Sequence, residues 1–447
     1  MLVTLDKSAA KVRQIRSLGP TNPQHKLSTE AIMRVMSEPE FRRAALDTAL
    51  AALADTPVVA INGARQVGKS TLARQLWQRA GGQVVTLDDE TQRDAALADP
   101  RGFVERKFDG PLIIDEVQRV PELFRAVKAA VDRDRRPGRF ILTGSTRLLS
   151  EPGFADALVG RVEVVELWPL SQGELHDRKD LFVADVFSRT LSSPISLTRA
   201  DLLRSVVAGG FPEALLRAPA RRSAWFDAYL ATLTQSVIRD LTGIERLAEM
   251  PRIIRLCAAR AGTELNVTNL AAELTLPPRT LDGYLATLAQ LFVIQLIPAW
   301  STNISKKVIR RPKLVMVDSG LAARLVGMTA ESAAEPTAPL GALLESFVAM
   351  ELRKQLSWSQ DGTTLWHFRD RDGGEVDFVL ERPDGSVVGI EVKAASSVSS
   401  RDTKGLRFLA DRLGDRFVAG VVLSFMPEAT PLGERLTALP LNALWGT

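Results

Sequence analysis

Between residues 57 and 167 short apolar runs alternate with stretches of helical spacing: PVVAI at 57–61, QVVTL at 83–87, PLIID at 111–115, RFILTG at 139–144 and VEVVEL at 162–167. Strands that are apolar on both sides must be covered on both faces, so the alternation predicts a parallel sheet between layers of helix. Ahead of the first run, apolar positions from Thr29 to Leu53 recur at helical spacing and predict a lead-in helix. Residues 1–28 mix basic and small polar side chains with Gly19, Pro20 and Pro23, which predicts a loosely held tail.

Beyond this α/β region, 29–170, the pattern turns helical over 171–250, with a break at GGFPEA, 209–214. The segment 265–297 then reads as helix, proline turn, helix and strand. Leu281, Tyr284, Leu285, Leu288, Leu291 and Phe292 fall on one face of the second helix, and 251–335 is a helix-turn-helix or winged-helix candidate. After Pro336 and Pro339 a helix leads into strands of alternating pattern, with a hairpin turned at Pro383, Asp384 and Gly385. Residues 336–447 are therefore expected to form a further α/β domain.

Composition narrows the classes. A chain of 447 residues is too long for one core. Its net charge of +4 is a small difference between 57 basic and 53 acidic side chains, so any nucleic-acid surface must be local. Cys257 is alone and the three histidines are scattered, which leaves no disulfide and no zinc spacing. No apolar stretch reaches the length of a membrane span, and MLVTLDKSAAKVRQIRS lacks the apolar core of a secretion signal. These features predict a cytoplasmic protein with no membrane partner.

The chemistry concentrates at GARQVGKST, 63–71, which fits GxxxxGK[ST] and lies between a predicted strand and a predicted helix. In such a loop the backbone of Gly63, Ala64, Arg65, Gln66, Val67, Gly68, Lys69, Ser70 and Thr71 cradles phosphates. Lys69 reaches the β and γ phosphates, and Ser70 ligates magnesium. PLIIDE places Asp115 and Glu116 at the end of a second strand: Asp115 to hold the magnesium, Glu116 to polarise the attacking water. The tip of FILTGST offers Ser145 or Thr143 to position that water. Charge growing on the γ phosphate calls for an arginine from a neighbouring copy or a lid, and Arg161 is the candidate; a solvated arginine at a strand start is the plain alternative.

Together with LIIDEVQRVPEL, FILTGS, GRVEVVELWPLS, GGFPEAL, RDL at 239–241 and the PKLVMVDSGLAARL that ends at Leu325, the loop resembles a prokaryotic family of AAA-type ATPases. Members of that family carry a C-terminal domain of unknown function with nuclease-like features. The resemblance implies ATP as the nucleotide, a winged-helix segment after the ATPase domain, and a terminal domain similar to PD-(D/E)xK nucleases.

In that terminal region Asp377 lies in EVDFVL, and Glu391 and Lys393 lie in IEVKA. Strand alternation puts these polar groups opposite their apolar neighbours, so they can converge on a divalent ion, Mg2+ or Mn2+, beside a phosphodiester. Glu345, at the rim of the apolar arc of 340–352, is a further acid. An exposed cross-strand salt bridge is the alternative reading. The helix at 280–291 shows Asp282, Thr287 and Gln290 and is weakly basic for a DNA reader. Downstream, Lys306, Lys307, Arg310, Arg311 and Lys313 could touch phosphates or protect a strand edge. Two functions follow: an ATP-driven enzyme acting on DNA or RNA, or an ATP-dependent switch or scaffold for a protein partner with a silent terminal domain. A homo-oligomer would let Arg161 act from a neighbour.

Overall fold

The computed structural model describes residues 41–106, 109–151, 153–190, 196–240, 249–302, 310–370 and 374–445. The expected tail, the start of the lead-in helix, Lys306 and Lys307 lie outside them, as do the side chains of the RDL motif.

Helix α1 (Ala45–Asp55) buries Ala45, Leu46, Ala49, Ala52 and Leu53, the stripe its spacing predicts. Strands β1 (Val58–Gly63), β2 (Gln83–Thr86), β3 (Leu112–Asp115), β4 (Phe140–Gly144) and β5 (Val162–Leu167) then build an all-parallel sheet in the order β2-β3-β4-β1-β5. Every residue of β1, β3 and β4 is buried because alternate side chains enter separate cores. Val59, Ile61, Ile113 and Ile141 pack with α1 and with α2 (Lys69–Ala80). Val58, Ala60, Leu112, Ile114, Phe140 and Leu142 pack with α3 (Glu122–Arg133). Since parallel strands share one direction, the carboxyl ends of β1, β3 and β4 lie together, with β4 between the other two.

In the middle region α4 (Val267–Leu274) is capped by the Asn266 side chain and stopped by Thr275 in the left-handed conformation, φ 55°. Pro277 and Pro278 open α5 (Pro278–Gln290), as proline does at a first turn. Leu281, Tyr284, Leu285 and Leu288 are buried along it as expected. Leu291 and Phe292 fall beyond its end, and Phe292, at φ 57°, turns the chain and packs its ring against Trp168. A two-stranded antiparallel ribbon follows, β6 (Ile294–Ile297) with β7 (Lys313–Met316), and then α6 (Ser319–Val326).

The C-terminal sheet is mixed, ordered β12-β13-β11-β10-β9-β8. Strands β8 (Thr364–Arg369), β9 (Glu375–Glu381) and β10 (Val387–Val392) form an antiparallel meander. Helix α8 (Lys404–Leu413) carries the chain to β11 (Phe417–Ser424), parallel to β10, and β12 (Thr430–Gly433) and β13 (Leu436–Pro440) close the edge. Before the sheet comes α7 (Gly341–Trp358), buried on most of its sides, including Glu351, Lys354 and Gln355. It packs against β7, α6 and β10. From Arg42 onward the chain is one compact unit. Among the described residues no helix is long and apolar enough to cross a membrane.

Candidate functional site

The glycine loop leaves β1 at Gly63, where a Cβ would lie 2.3 Å from the Leu167 carbonyl oxygen of β5, so only glycine admits the strand packing. Gln66 and Gly68 take left-handed conformations, φ 61° and 100°, which turn the backbone into the start of α2. The first-turn amides of a helix have no acceptor within it. Here Gly68 offers no side-chain cap and the turn carries no acid, so those amides are available to an anion. Ser70 and Gln66 face solvent, while the Lys69 side chain is buried and its ammonium donates to the carbonyls of Gly63 at 3.1 Å and Ala64 at 2.9 Å. Burial lowers the Lys69 pKa, against the pull of Glu116 and Asp115.

Because β4 is inserted between β1 and β3, its tip reaches both acids. The Thr143 hydroxyl donates to Asp115 Oδ1 and accepts the Glu116 amide at 3.0 Å. On the other carboxylate oxygen, Ser70 Oγ donates to Asp115 Oδ2 at 3.0 Å. Glu116 itself is in the left-handed region, φ 57° and ψ 46°, a strained setting for a residue with a side chain. That setting aims its carboxylate at Ser145, whose Oγ donates to Glu116 Oε2 at 2.9 Å. Gln118 Nε2 donates to the same oxygen and to Ser145 Oγ. The two hydroxyls that the sequence offered as alternatives thus serve different acids: Thr143 holds Asp115 and Ser145 holds Glu116. Gln118, two residues past Glu116, carries no separate signal in the sequence. Ser70 and Asp115 are oxygen donors of the kind a hard divalent ion takes, and they already touch.

Arg161, expected to act from a neighbouring copy or a lid, is not brought to this chain's own loop. It precedes β5, whose Val162 pairs with Val58 at the start of β1, so it lies at the opposite end of the sheet from the loop. There its guanidinium grips Asp132 at 2.6 and 2.7 Å.

Arg43, which the sequence did not single out, is buried under the loop. It donates to the Val67 carbonyl at 2.8 Å, the Trp168 carbonyl at 2.6 Å and the Glu174 carboxylate at 3.0 Å. Glu174 closes a capping box with Ser171. The neighbouring Gln172 amide donates to Glu351 of α7 at 2.9 Å, and Lys354 reaches both the Leu170 carbonyl at 3.0 Å and Glu351 at 2.7 Å. A continuous set of polar contacts therefore joins the loop to α7.

Helix α7 also carries Glu345. The structure brings Glu345, Asp377 and Glu391 together with two lysines. Lys393 pairs with Glu391 at 2.6 Å. Lys313, at the start of β7, is 2% exposed, and its ammonium lies 2.9 Å from Glu345 Oε2 and 3.2 Å from Asp377 Oδ1. Asp377 Oδ2 accepts the Val392 amide at 2.9 Å. Burial, then the Asp377 charge, push Glu345 and Glu391 each up to about 7. Burial works against the Lys313 ammonium, but Asp377 and Glu345 outweigh it and hold its pKa above the usual value. The sequence had placed Lys313 among phosphate-contacting or edge-protecting side chains; it is instead an internal ion-pair partner. Its neighbour Arg310 donates to the Arg369 carbonyl at 2.7 Å. Among the described residues no group of three or more histidine, cysteine or acidic side chains is arranged to hold a metal. The Lys313 ammonium occupies the space between Glu345 and Asp377, two of the residues expected to hold a second divalent ion.

A five-stranded parallel sheet, a GxxxxGKS loop between β1 and α2, and paired acids at the end of β3 define an AAA-type P-loop ATPase domain. Residues 55–176 match the AAA domain family, 199–332 a domain of unknown function (DUF8612) and 340–444 another (DUF4143). The chain belongs to the same family as the uncharacterized protein Rv2008c of Mycobacterium tuberculosis and the uncharacterized protein Mb2031c of Mycobacterium bovis. Each is 31% identical to it over 399 residues, 89% of this chain and 82% of theirs. Among solved structures, the Walker-type ATPase of Pyrococcus abyssi aligns at TM-score 0.42 and 15% identity, over 68% of this chain and 99% of its own.

Proposed function

We propose that this chain binds and hydrolyses ATP with magnesium and uses the nucleotide state to set the position of its C-terminal domain. The observation that carries the reading is the convergence of Lys69, Ser70, Asp115, Glu116 and Ser145 at the ends of three adjacent strands. The amides of 63–71 would take the phosphates, and Lys69 would turn from the loop carbonyls to the β and γ oxygens. Ser70 and Asp115 would hold magnesium, which would neutralise phosphate charge. Glu116, held by Ser145 and Gln118, accepts the proton of the attacking water. The test is magnesium-ATP binding by calorimetry together with phosphate release. Heat of association that disappears in Lys69→Ala supports the reading, and folded protein that gives none refutes it. Arg161 could meet a γ phosphate only from another copy of the chain, so that role requires ATP-dependent self-association.

A second reading, ATP-driven cleavage of DNA or RNA by a PD-(D/E)xK-like domain following a winged-helix segment, is favoured by the meeting of Glu345, Asp377, Glu391 and Lys393. It requires cleavage of labelled nucleic acid with Mg2+ or Mn2+ that is lost in Asp377→Ala and Lys393→Ala. The switch is the better supported of the two, because the contacts from Arg43 to Glu351 link the loop to α7 while Lys313 fills the acidic cluster. Its partner would then be a protein that docks on the C-terminal domain.

A further inference from the structure

Carboxylates on α7, β9 and β10 approach one another, and the space between two of them holds an ammonium. Lys313 Nζ lies 2.9 Å from Glu345 and 3.2 Å from Asp377, the position of a bridging cation. The chain fixes it there. Its backbone pairs with Ile297 in the ribbon and bridges to Glu264 on the other side, so the strand cannot withdraw without breaking contacts on both flanks. Its stem is buried, and its ammonium stands 5.2 Å from the centre of the Phe378 ring, which adds cation–π attraction. Two of the remaining acceptors are used as well. Asp377 spends its second oxygen on the Val392 amide, and Glu391 gives one to Lys393. Glu391 Oε2 is a buried acceptor with no hydrogen-bond partner, but its carboxylate already pairs with the Lys393 ammonium, whose charge opposes an incoming divalent ion.

We propose that Lys313 is the resident cation of the C-terminal domain: its ammonium occupies the divalent position at Glu345 and Asp377, so the domain binds no metal there and clips β7 onto α7 and β9 instead. This goes beyond the proposed ATPase function and does not depend on it.

The test titrates Mn2+ into nucleotide-free full-length protein and counts bound ions by electron paramagnetic resonance. Wild type and Asp377→Asn should bind the same number. Lys313→Met, which keeps the stem and removes the charge, should gain one further ion, and Lys313→Met with Asp377→Asn should lose it again. Circular dichroism with a cooperative urea transition reports whether each variant is folded, and a fluorescent ATP analogue separately reports on the glycine loop. A wild-type ion lost in Asp377→Asn overturns the proposal, as does folded Lys313→Met that gains none. If Lys313→Met does not fold, wild type against Asp377→Asn decides alone: equal counts uphold the proposal and unequal counts overturn it. Failure of the ATP analogue to bind folded wild type would strike the ATPase reading and leave the manganese comparison intact.

Discussion

The molecule contains two acidic clusters served by lysines, and they differ in where the ammonium is held. At the glycine loop Lys69 is bound to the carbonyls of Gly63 and Ala64, and Asp115 and Glu116 are satisfied by hydroxyls and an amide: Ser70, Thr143, Ser145 and Gln118. Those contacts are neutral and exchangeable, so a cation and an anion can both enter. In the C-terminal cluster the ammonium of Lys313 sits between two carboxylates, and two lysines of the chain already offset most of the charge of three acids. Carboxylates at strand ends therefore do not by themselves make a metal site; the location of the nearest fixed cation decides.

The sharpest way to break this contrast is to disable the open site. Lys69→Ala should weaken magnesium-ATP binding by roughly 100-fold or more, since charge-assisted bonds to phosphate have no substitute there. Glu116→Gln should keep binding and lower turnover by about 100-fold or more. Calorimetry and phosphate release separate the two. Normal turnover in Glu116→Gln would show that another group takes the proton.

The closed site should respond in stability instead. Lys313→Met leaves buried Asp377 and half-buried Glu345 without their cation, a loss of about 3 kcal/mol. Adding Asp377→Asn should recover much of it, because removing both halves of a buried pair costs far less than removing one. Urea denaturation of the single and double variants reads the difference, and equal destabilisation in both would mean that the pair is not what Lys313 contributes.

How much of this was legible beforehand follows from sequence distance. The glycine loop is a local motif, and Asp115 and Glu116 announce themselves at the end of an apolar run, so both were readable. The division of labour between Thr143 and Ser145 depends on β4 lying between β1 and β3, which spacing does not give. The distance of Arg161 from its own loop was also readable: it precedes its strand whereas the loop follows one, and parallel strands put those positions at opposite ends. Lys313 was misread because its partners lie 32 and 64 residues away. The available signal was a single lysine opening the apolar run Leu314, Val315, Met316 and Val317. Arg43 left no comparable signal, since its contacts span up to 131 residues.

Arg43 tests whether the two regions communicate. Arg43→Ala removes the donor from the Val67 carbonyl and leaves the Glu174 carboxylate with backbone amides but no cation, so the loop should bind ATP about 10-fold more weakly although no phosphate contact is lost. Hydrogen exchange in α7 should rise in the same variant. Unchanged exchange there would confine Arg43 to the loop and remove the support for coupling.

A third acid supplies the intermediate case and the smallest effect. Asp180 is buried beside the loop-to-α7 contacts and accepts from Ser171 at 2.6 Å, but Lys354 pairs with Glu351 rather than with it. Burial, then the Glu351 charge, push its pKa from 3.8 up to about 8. Between those values the folded protein keeps a proton that the unfolded chain releases, so the associated stability is full below the unfolded pKa and fades as pH rises through the folded one. Asp180→Asn keeps an oxygen for Ser171 and cannot ionise. Its stability relative to wild type should therefore improve from pH 5 to pH 8, seen as a difference in urea midpoints; the raised carboxyls of Glu345 and Glu391 are common to both proteins and cancel. An identical pH response would mean that Lys354 swings to Asp180 when it ionises, making this acid another internally paired one like those at Lys313.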